Sequence, residues 1–530
     1  MSDNYDVLIV GAGAGGSAVA AYLSDFNLKI ICLEQGNFTE PSAYPSTKGN
    51  WESFRLNQFS PNPNIRKMKE DYPINCEDSP IEVANYNAVG GSTILFSGHY
   101  PRFHPSDFKV KSLDNVADDW PISYSDLEPF YDLNRKFTAI SGLEGDPAYP
   151  EIINLLPPIP IGKTGLKLVK GFNSLNWHWW PSYSAIATRN FEGHQPCINL
   201  GPCNLGCPQG AKSSADVSHW PYALRNHVEL KTNSRVIRVL TDTENNASGV
   251  EYFDSNGRTQ VLKAKIIVIA CNGVGTPRIL LNSKSDAFPY GIGNKNDLVG
   301  RNLMLHPLAY VEGIFSENLE SHLGPQGCLL ASHEFAETSP DRGFVRGFTM
   351  QALRGPGLSE ATRSYVRQGE VEWGVKHHES VYKKYSHTAH ISIITEDLPD
   401  LNNRVILDSN LKDSSGIPAP KIIYTLSENT KKSMAFGVNR AREVLDAAGA
   451  INTKAFGPVR ETGWHLMGTT RMGKNPGNSV VDEWGEVHEC KNLYIADSSV
   501  FVTSSSVNPT ATIQALALRT ASRIKSRIGN

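Results

Sequence analysis

Apolar residues in this chain fall into two periods, and each predicts a different kind of element. Short unbroken apolar runs, the mark of strands covered on both faces, occur at residues 6–10 (DVLIV), 29–33 (KIICL) and 265–270 (KIIVIA). Residues 227–240 also read as strand, and 249–253 with 260–264 as a hairpin around Ser255-Asn256-Gly257. Helical spacing occurs at 17–23, within 118–140 behind a proline start, at 278–282 behind Gly273, Gly275 and Pro277, at 430–448 and at 511–524. Between 309 and 457 the strand-like runs 344–352, 387–395, 404–407 and 421–424 alternate with loops before a helix. That order predicts an antiparallel sheet with a covering helix, a wall for a pocket.

The first three dozen residues make the most specific pattern: strand, Gly11-Ala12-Gly13-Ala14-Gly15-Gly16, helix, strand, Glu34. Gly11 allows the tight turn, Gly13 lets backbone approach a pyrophosphate, and Gly16 lets helix and strand pack closely. The free N–H groups of the helix start face phosphate oxygens. Glu34, eighteen residues after Gly16, is spaced to accept hydrogen bonds from a ribose diol, with Gln35 beside it. The pattern predicts a dinucleotide-binding α/β fold whose contacts include Gly11, Gly13, Ala14, Gly15, Gly16, Glu34 and Gln35. Residues 35–80 are irregular, as a lid or cover would be. Val89-Gly90-Gly91-Ser92-Thr93 follows; alone it fits either backbone lying against a flat ligand or a hairpin turn.

With the C-terminal segments 462–469 (TGWHLMGT), 492–497 (NLYIAD) and 506–510 (SVNPT), these motifs resemble the glucose-methanol-choline (GMC) oxidoreductases, FAD enzymes that oxidise alcohols. The resemblance implies a Rossmann-like FAD-binding domain in three segments, 1–110, 200–308 and 458–530. It adds a cap or substrate-side segment at 111–199 and a substrate domain at 309–457, an antiparallel sheet covered by helices. It places Val89, Gly90, Gly91, Ser92 and Thr93 along the flavin and pyrophosphate, and the Val236 backbone at the adenine. Ala270 joins the cofactor contacts, Asp497 lies by the phosphates or ribityl chain, and Pro509 and Thr510 open a helix toward the flavin. Some sugar-oxidising relatives carry a flavin-linked histidine just after the Gly-Gly run. Here Ile94-Leu95-Phe96 stands there, and His99 and His104 lie at another offset, so FAD is expected to be non-covalent.

Alcohol oxidation needs a group that takes the hydroxyl proton, and histidine suits that role. A second polar side chain must orient the same hydroxyl. The resemblance assigns these roles to His465 and Asn508, although a lone histidine is more often structural. Residues 101–108 (PRFHPSDF), 145–150 (GDPAYP) and 199–212 (NLGPCNLGCPQGAK) look most like relatives acting on sugars, glycosides and aminosugars. The alternatives are a simple aliphatic or choline-like alcohol, or a flavin-binding protein without turnover. Dioxygen or a quinone-like carrier is the expected electron acceptor. The Pro-rich passage 145–160 is expected as a loop over the active site.

Other features invite competing readings. Cys197, Cys203 and Cys207 suggest a cluster of the kind certain GMC sugar dehydrogenases carry. A fourth ligand and a paired Cys-x-x-Cys are missing, so free thiols or one disulfide are expected, with no metal. Trp177, Trp179 and Trp180 read as core rather than as a sugar platform. Glu396 and Asp397, adjacent in an extended segment, point apart and read as loop surface. At 530 residues the chain suits two domains or one elaborated fold, and its net charge of −3 argues against nucleic acid or anionic membrane as partner. No apolar run reaches a membrane span. The polar start Met1–Tyr5 leads into the first strand without a basic or apolar leader, so a cytoplasmic setting is expected.

Overall fold

The computed structural model describes residues 5–355, 357–359, 361–362 and 374–529; Met1–Asn4 of the polar start lie outside them. The nucleotide-type pattern forms the centre of a seven-stranded sheet. Glu229–Lys231, Ile30–Leu33, Tyr5–Val10 and the C-terminal half of Thr259–Ile269 run parallel, with Val7 opposite Ile30 on one side and Ile266 on the other. The unbroken apolar runs are explained by cover on both faces. Val7 and Ile9 pack with Ala18, Val19, Leu518 and Ala521 of the helices Ala14–Leu23 and Thr510–Ile528, while Leu8 and Val10 face a second core with Ile267, Ile269 and Ala515. The expected α/β fold is the one observed.

Two strand boundaries differ from expectation. The KIIVIA run is not a separate strand; it continues the second strand of the hairpin, whose first half pairs antiparallel with Ala247–Phe253 and whose second half pairs with Tyr5–Val10 and Leu493–Ile495. Residues 227–240 split into Glu229–Lys231 and Arg235–Thr241, which lie at opposite ends of the strand order. The helix predicted at 278–282 is Asn272–Asn282, with Pro277 inside it. Its early start is held from outside, because Asp497 accepts from the Asn272 N–H and the Thr276 hydroxyl.

The second sheet has six antiparallel strands in the order Asn452–Phe456, Leu308–Ile314, Thr388–Thr395, Phe348–Leu353, Leu330–Ser332, Trp180–Pro181. Helices Glu428–Ala447 and Gly162–Leu175 cover one face, where Met434, Val444, Leu445 and Phe172 pack on Val311, Ile391 and Ile393. Of the four strands expected here, only two belong to it. Arg404–Lys412 instead pairs with Pro418–Ile423, which pairs in turn with Asn75–Asp78, in a third sheet.

Glu396 and Asp397 are not loop surface; they are 1% and 2% exposed. They do point apart, but each side is protein. Arg346 Nε donates to both oxygens of Glu396 (3.1 and 3.0 Å), while Asp397 accepts from Tyr424 Oη (2.6 Å) and the Leu305 N–H (3.1 Å). The indoles of Trp177, Trp179 and Trp180 are half-buried near the edge of the six-stranded sheet, Trp177 edge-on to Phe335. The 145–160 passage does not lie over the main cavity as expected; Tyr149 packs against His104 and His333. All eight cysteines are free, and among the described residues no group of three His, Cys, Asp or Glu side chains is arranged to hold a metal ion.

Candidate active site

A cavity of about 1080 Å³ extends from the glycine turn to the six-stranded sheet. That stands just above the roughly 300–1,000 Å³ that takes a drug-sized ligand, a size suited to an extended ligand such as a dinucleotide. At the nucleotide end Gly11 has φ +96°, and a Cβ there would lie 2.6 Å from the Ala270 carbonyl oxygen. A Cβ on Gly15 would lie 1.8 Å from the Ala496 oxygen, and one on Gly16 would lie 2.0 Å from the Gly11 oxygen. Gly13 differs: a Cβ there would lie 4.0 Å from the Gly91 Cα, an ordinary contact, whereas one on Gly91 would lie 2.9 Å from the Gly13 Cα, so the two bare backbones lie against each other. The helix that starts at Ala14 has no side-chain cap, which leaves its first N–H groups for a ligand.

Of the expected contacts, Gly11, Gly13, Ala14, Gly15, Glu34, Gln35, Gly91, Ser92, Thr93, Val236, Ala270, Asp497, Pro509 and Thr510 line the cavity. Gly16, Val89 and Gly90 stand behind its wall. Val89 donates to the Asn37 carbonyl and Gly90 (φ +101°) to the Ala12 carbonyl, which sets Gly91 against Gly13. Glu34 is buried and accepts from the Ala12 and Gly36 N–H groups, 2.8 Å each; burial raises its carboxyl to about 7 in spite of these donors. Asp497 accepts four hydrogen bonds, two from Ser499 (2.8 and 2.6 Å) and those of Asn272 and Thr276, and burial raises its carboxyl also. Asp497 thus fixes the backbone on the cavity's inner side.

At the other end His465 and Asn508 meet, with Asn508 Nδ2 3.4 Å from His465 Nε2. Gln351 Nε2 donates to Asn508 Oδ1 at 2.5 Å. His465 is half-buried, with its free edge opening into the cavity. Burial, then the neighbouring His306 and His99, hold its imidazole well below the ordinary histidine range. His306 is fully buried and brings Nδ1 to 2.9 Å from His465 Nδ1; burial lowers it to about 4. Sequence reasoning assigns His306 no part in the site, because the contact joins residues 159 positions apart. His99 also lines the cavity, and burial lowers it to about 4.

The sheet supplies the remaining wall. Residues two apart share a face, so Tyr310 and Glu312, His390, Ser392 and Ile394, and Gln351 and Leu353 point into the cavity, while Val311, Ile391, Ile393 and Met350 pack under the helices. Glu312 and His390 are direct cross-strand partners, with Oε2 and Nε2 3.3 Å apart.

Comparison with known proteins agrees with this architecture. Residues 167–308 and 399–517 match the two family models for GMC oxidoreductase. The chain is 37% identical over 536 residues to a 2-methyl-1,2-propanediol dehydrogenase of Mycolicibacterium austroafricanum, which covers 100% of this chain and 96% of that one. It is 28% identical to the fructose dehydrogenase large subunit of Gluconobacter japonicus (98% and 97% covered) and to paromamine 6'-oxidase of Streptomyces fradiae (98% and 91%). Among solved structures, pyridoxine 4-oxidase from Mesorbium loti superposes with a TM-score of 0.64 at 17% identity, over 98% of this chain and 99% of that one, a likeness of fold.

Proposed function

The chain belongs to the GMC oxidoreductase family, FAD-dependent enzymes acting on CH–OH groups, and we propose that it oxidises a hydroxyl of a sugar, glycoside or aminosugar at His465 and Asn508. The observation that carries the substrate reading is the polar sheet face: Glu312, His390, Gln351 and Ser392 line the cavity that also holds the His465–Asn508 pair. A molecule with several hydroxyls or an amine satisfies such a face. Bound FAD supplies the acceptor for the hydrogen and electron pair that leave the carbon.

The bare backbone at Gly13 and Gly91, which line the cavity side by side, and the uncapped start of the Ala14 helix suit its pyrophosphate. Glu34, Gln35 and Val236 lie toward the nucleoside, Pro509 and Thr510 toward the flavin. With Ile94-Leu95-Phe96 after the Gly-Gly run, the cofactor is held non-covalently. His465 Nε2 takes the hydroxyl proton, and Asn508 Nδ2 donates to the same oxygen. On this reading the FAD-binding segments are 1–110, 200–308 and 458–530, with a substrate-side segment at 111–199 and a substrate domain at 309–457. Among the described residues no helix is long and apolar enough to cross a membrane. Eight free thiols suit a reducing compartment, the cytoplasm.

A second reading, oxidation of a small aliphatic alcohol or diol, is favoured by Leu308, Leu353, Ile394 and Phe456 in the same cavity and by the diol dehydrogenase relative. Anaerobic mixing of the flavoprotein with glycosides, aminosugars and simple alcohols separates the two. Bleaching by polyhydroxylated compounds that falls about 10- to 100-fold in Glu312→Gln, the loss of one hydrogen bond to a charged group, supports the first. Bleaching by simple alcohols alone, unchanged in Glu312→Gln, supports the second. Flavin bleached by no alcohol refutes both. Re-admitting air then distinguishes dioxygen from a quinone-like acceptor.

A further inference from the structure

We propose that His306 is a positioning residue that locks His465 in the tautomer with a bare Nε2 facing the cavity. The proposal rests on the reading of His465 as proton acceptor. His306 Nε2 lies 2.7 Å from the Ser505 carbonyl oxygen and 3.1 Å from that of Ser504. Carbonyl oxygens only accept, so Nε2 carries a hydrogen. The ring is fully buried and neutral, so its Nδ1 is bare. That Nδ1 lies 2.9 Å from His465 Nδ1, and the hydrogen between them therefore belongs to His465. A neutral imidazole has one ring N–H, which leaves His465 Nε2 as a lone pair.

The other side of His465 gives the same assignment independently. Gln351 Nε2 donates to Asn508 Oδ1, which turns the Asn508 NH₂ toward His465 Nε2 as a donor. A donor there needs a bare nitrogen. His99, the other histidine facing His465, has Nε2 3.4 Å from the Cys328 N–H. Asp107, the carboxylate whose charge acts on His306, is bound instead by Arg346 and by the Ser505 hydroxyl at 2.6 Å. Because the His306 Nε2–H ends on carbonyls, His306 cannot pass a proton onward. A proton taken by His465 leaves through the cavity.

The backbone at His306 is left-handed (φ +49°), a conformation asparagine adopts readily. Asparagine also places its Oδ1 where the imidazole has Nδ1, so His306→Asn keeps an acceptor for His465, whereas His306→Leu removes it. The test is ¹⁵N-histidine spectroscopy of the holoenzyme at neutral pH, with the His465 signals identified by their loss in His465→Gln. The expected wild-type signature is a protonated Nδ1 and a bare Nε2, retained in His306→Asn and replaced by a tautomer mixture in His306→Leu.

Flavin reduction by D-fructose and 2-methyl-1,2-propanediol is the companion readout. Its rate should fall about 10- to 100-fold in His306→Leu, with the half-saturating concentration unchanged, the usual loss for an orienting partner, and recover in His306→Asn. A wild-type Nε2 that carries the hydrogen, or a His306→Leu spectrum like wild type, overturns the proposal. Should His306→Leu fail to fold, the wild-type and His306→Asn spectra still decide it. Continued flavin reduction by His465→Gln would instead overturn the catalytic reading and leave the tautomer result standing.

Discussion

Replacing Arg346 with methionine should destabilise the protein in a way that grows with pH. Arg346 is 1% exposed and donates to Glu396, to Asp114 (3.3 Å), to Glu337 (3.2 Å) and to Asp107. One guanidinium serves four carboxylates. Burial accordingly holds the Glu396 carboxyl above its usual range against the pull of Arg346, while Asp107, equally buried, is held down by His104 and Arg346. Arg346→Met leaves both carboxylates without their cation and raises both. Burial already holds Glu396 at about 8 in the wild type, so between pH 5 and pH 8 the gap between the two proteins comes from Asp107, held down in the wild type and raised in the variant. A raised carboxyl binds a proton more tightly in the folded state, so its contribution is present in acid and is lost as pH rises from its unfolded value toward its folded one. Each such group costs up to about 1.4 kcal/mol per pH unit, and breaking a buried pair costs about 3–5 kcal/mol in all. At about 2.1 cal/mol/K per residue this chain's unfolding entropy is about 1.1 kcal/mol/K, so the midpoint falls about 3–5 °C. Thermal melts of FAD-loaded wild type and variant at pH 5 and pH 8 should show the gap opening toward pH 8, and Arg346→Met/Glu396→Gln should recover part of it. An equal gap at both pH values would mean that packing, not charge, is lost, and the reasoning would fall.

Two further outcomes follow from the cavity. Gly15→Ala, whose Cβ would lie 1.8 Å from a backbone oxygen, should yield protein that retains little flavin, whereas Gly13→Ala, with its nearest neighbour at 4.0 Å, should fold and bind FAD more weakly; flavin-to-protein absorbance ratios check both, and equal ratios would contradict the distinct roles. Because burial, His306 and His99 lower the imidazole of His465, its proton-accepting form is already complete at pH 7 and is lost only on acidification. Flavin reduction should therefore stay level through neutrality and decline only well below the ordinary histidine value of 6.5, and a decline starting above that value would count against His465 as the acceptor.

The nucleotide end was legible because its chemistry is local. Strand, turn, helix and acid lie within thirty-four residues, so the spacing alone identifies them, although of the glycines only Gly16 meets a neighbour in that stretch while Gly11 and Gly15 meet Ala270 and Ala496. The substrate end was not legible in the same way. Leu308–Ile314 escapes notice as a strand because Tyr310 and Glu312 face the cavity and Gly313 interrupts the apolar face, although Val311 packs under a helix like its neighbours. Glu396 and Asp397 read as surface because Arg346, which neutralises Glu396, lies fifty residues away in the chain. His306 goes unnoticed because the nitrogen it binds is 159 residues further on.

These misreadings share one cause. Apolar patterning separates core from water, and an enzyme cavity is neither: its wall is folded as core on one face and kept polar on the other. The segments that depart from the expected pattern therefore mark where the chain meets a ligand or a buried charge. By that criterion the alternation of Glu312, His390 and Ser392 with Val311 and Ile391 is the part of the fold most specific to this protein's substrate, and the glycine turn is the part it shares with any dinucleotide site.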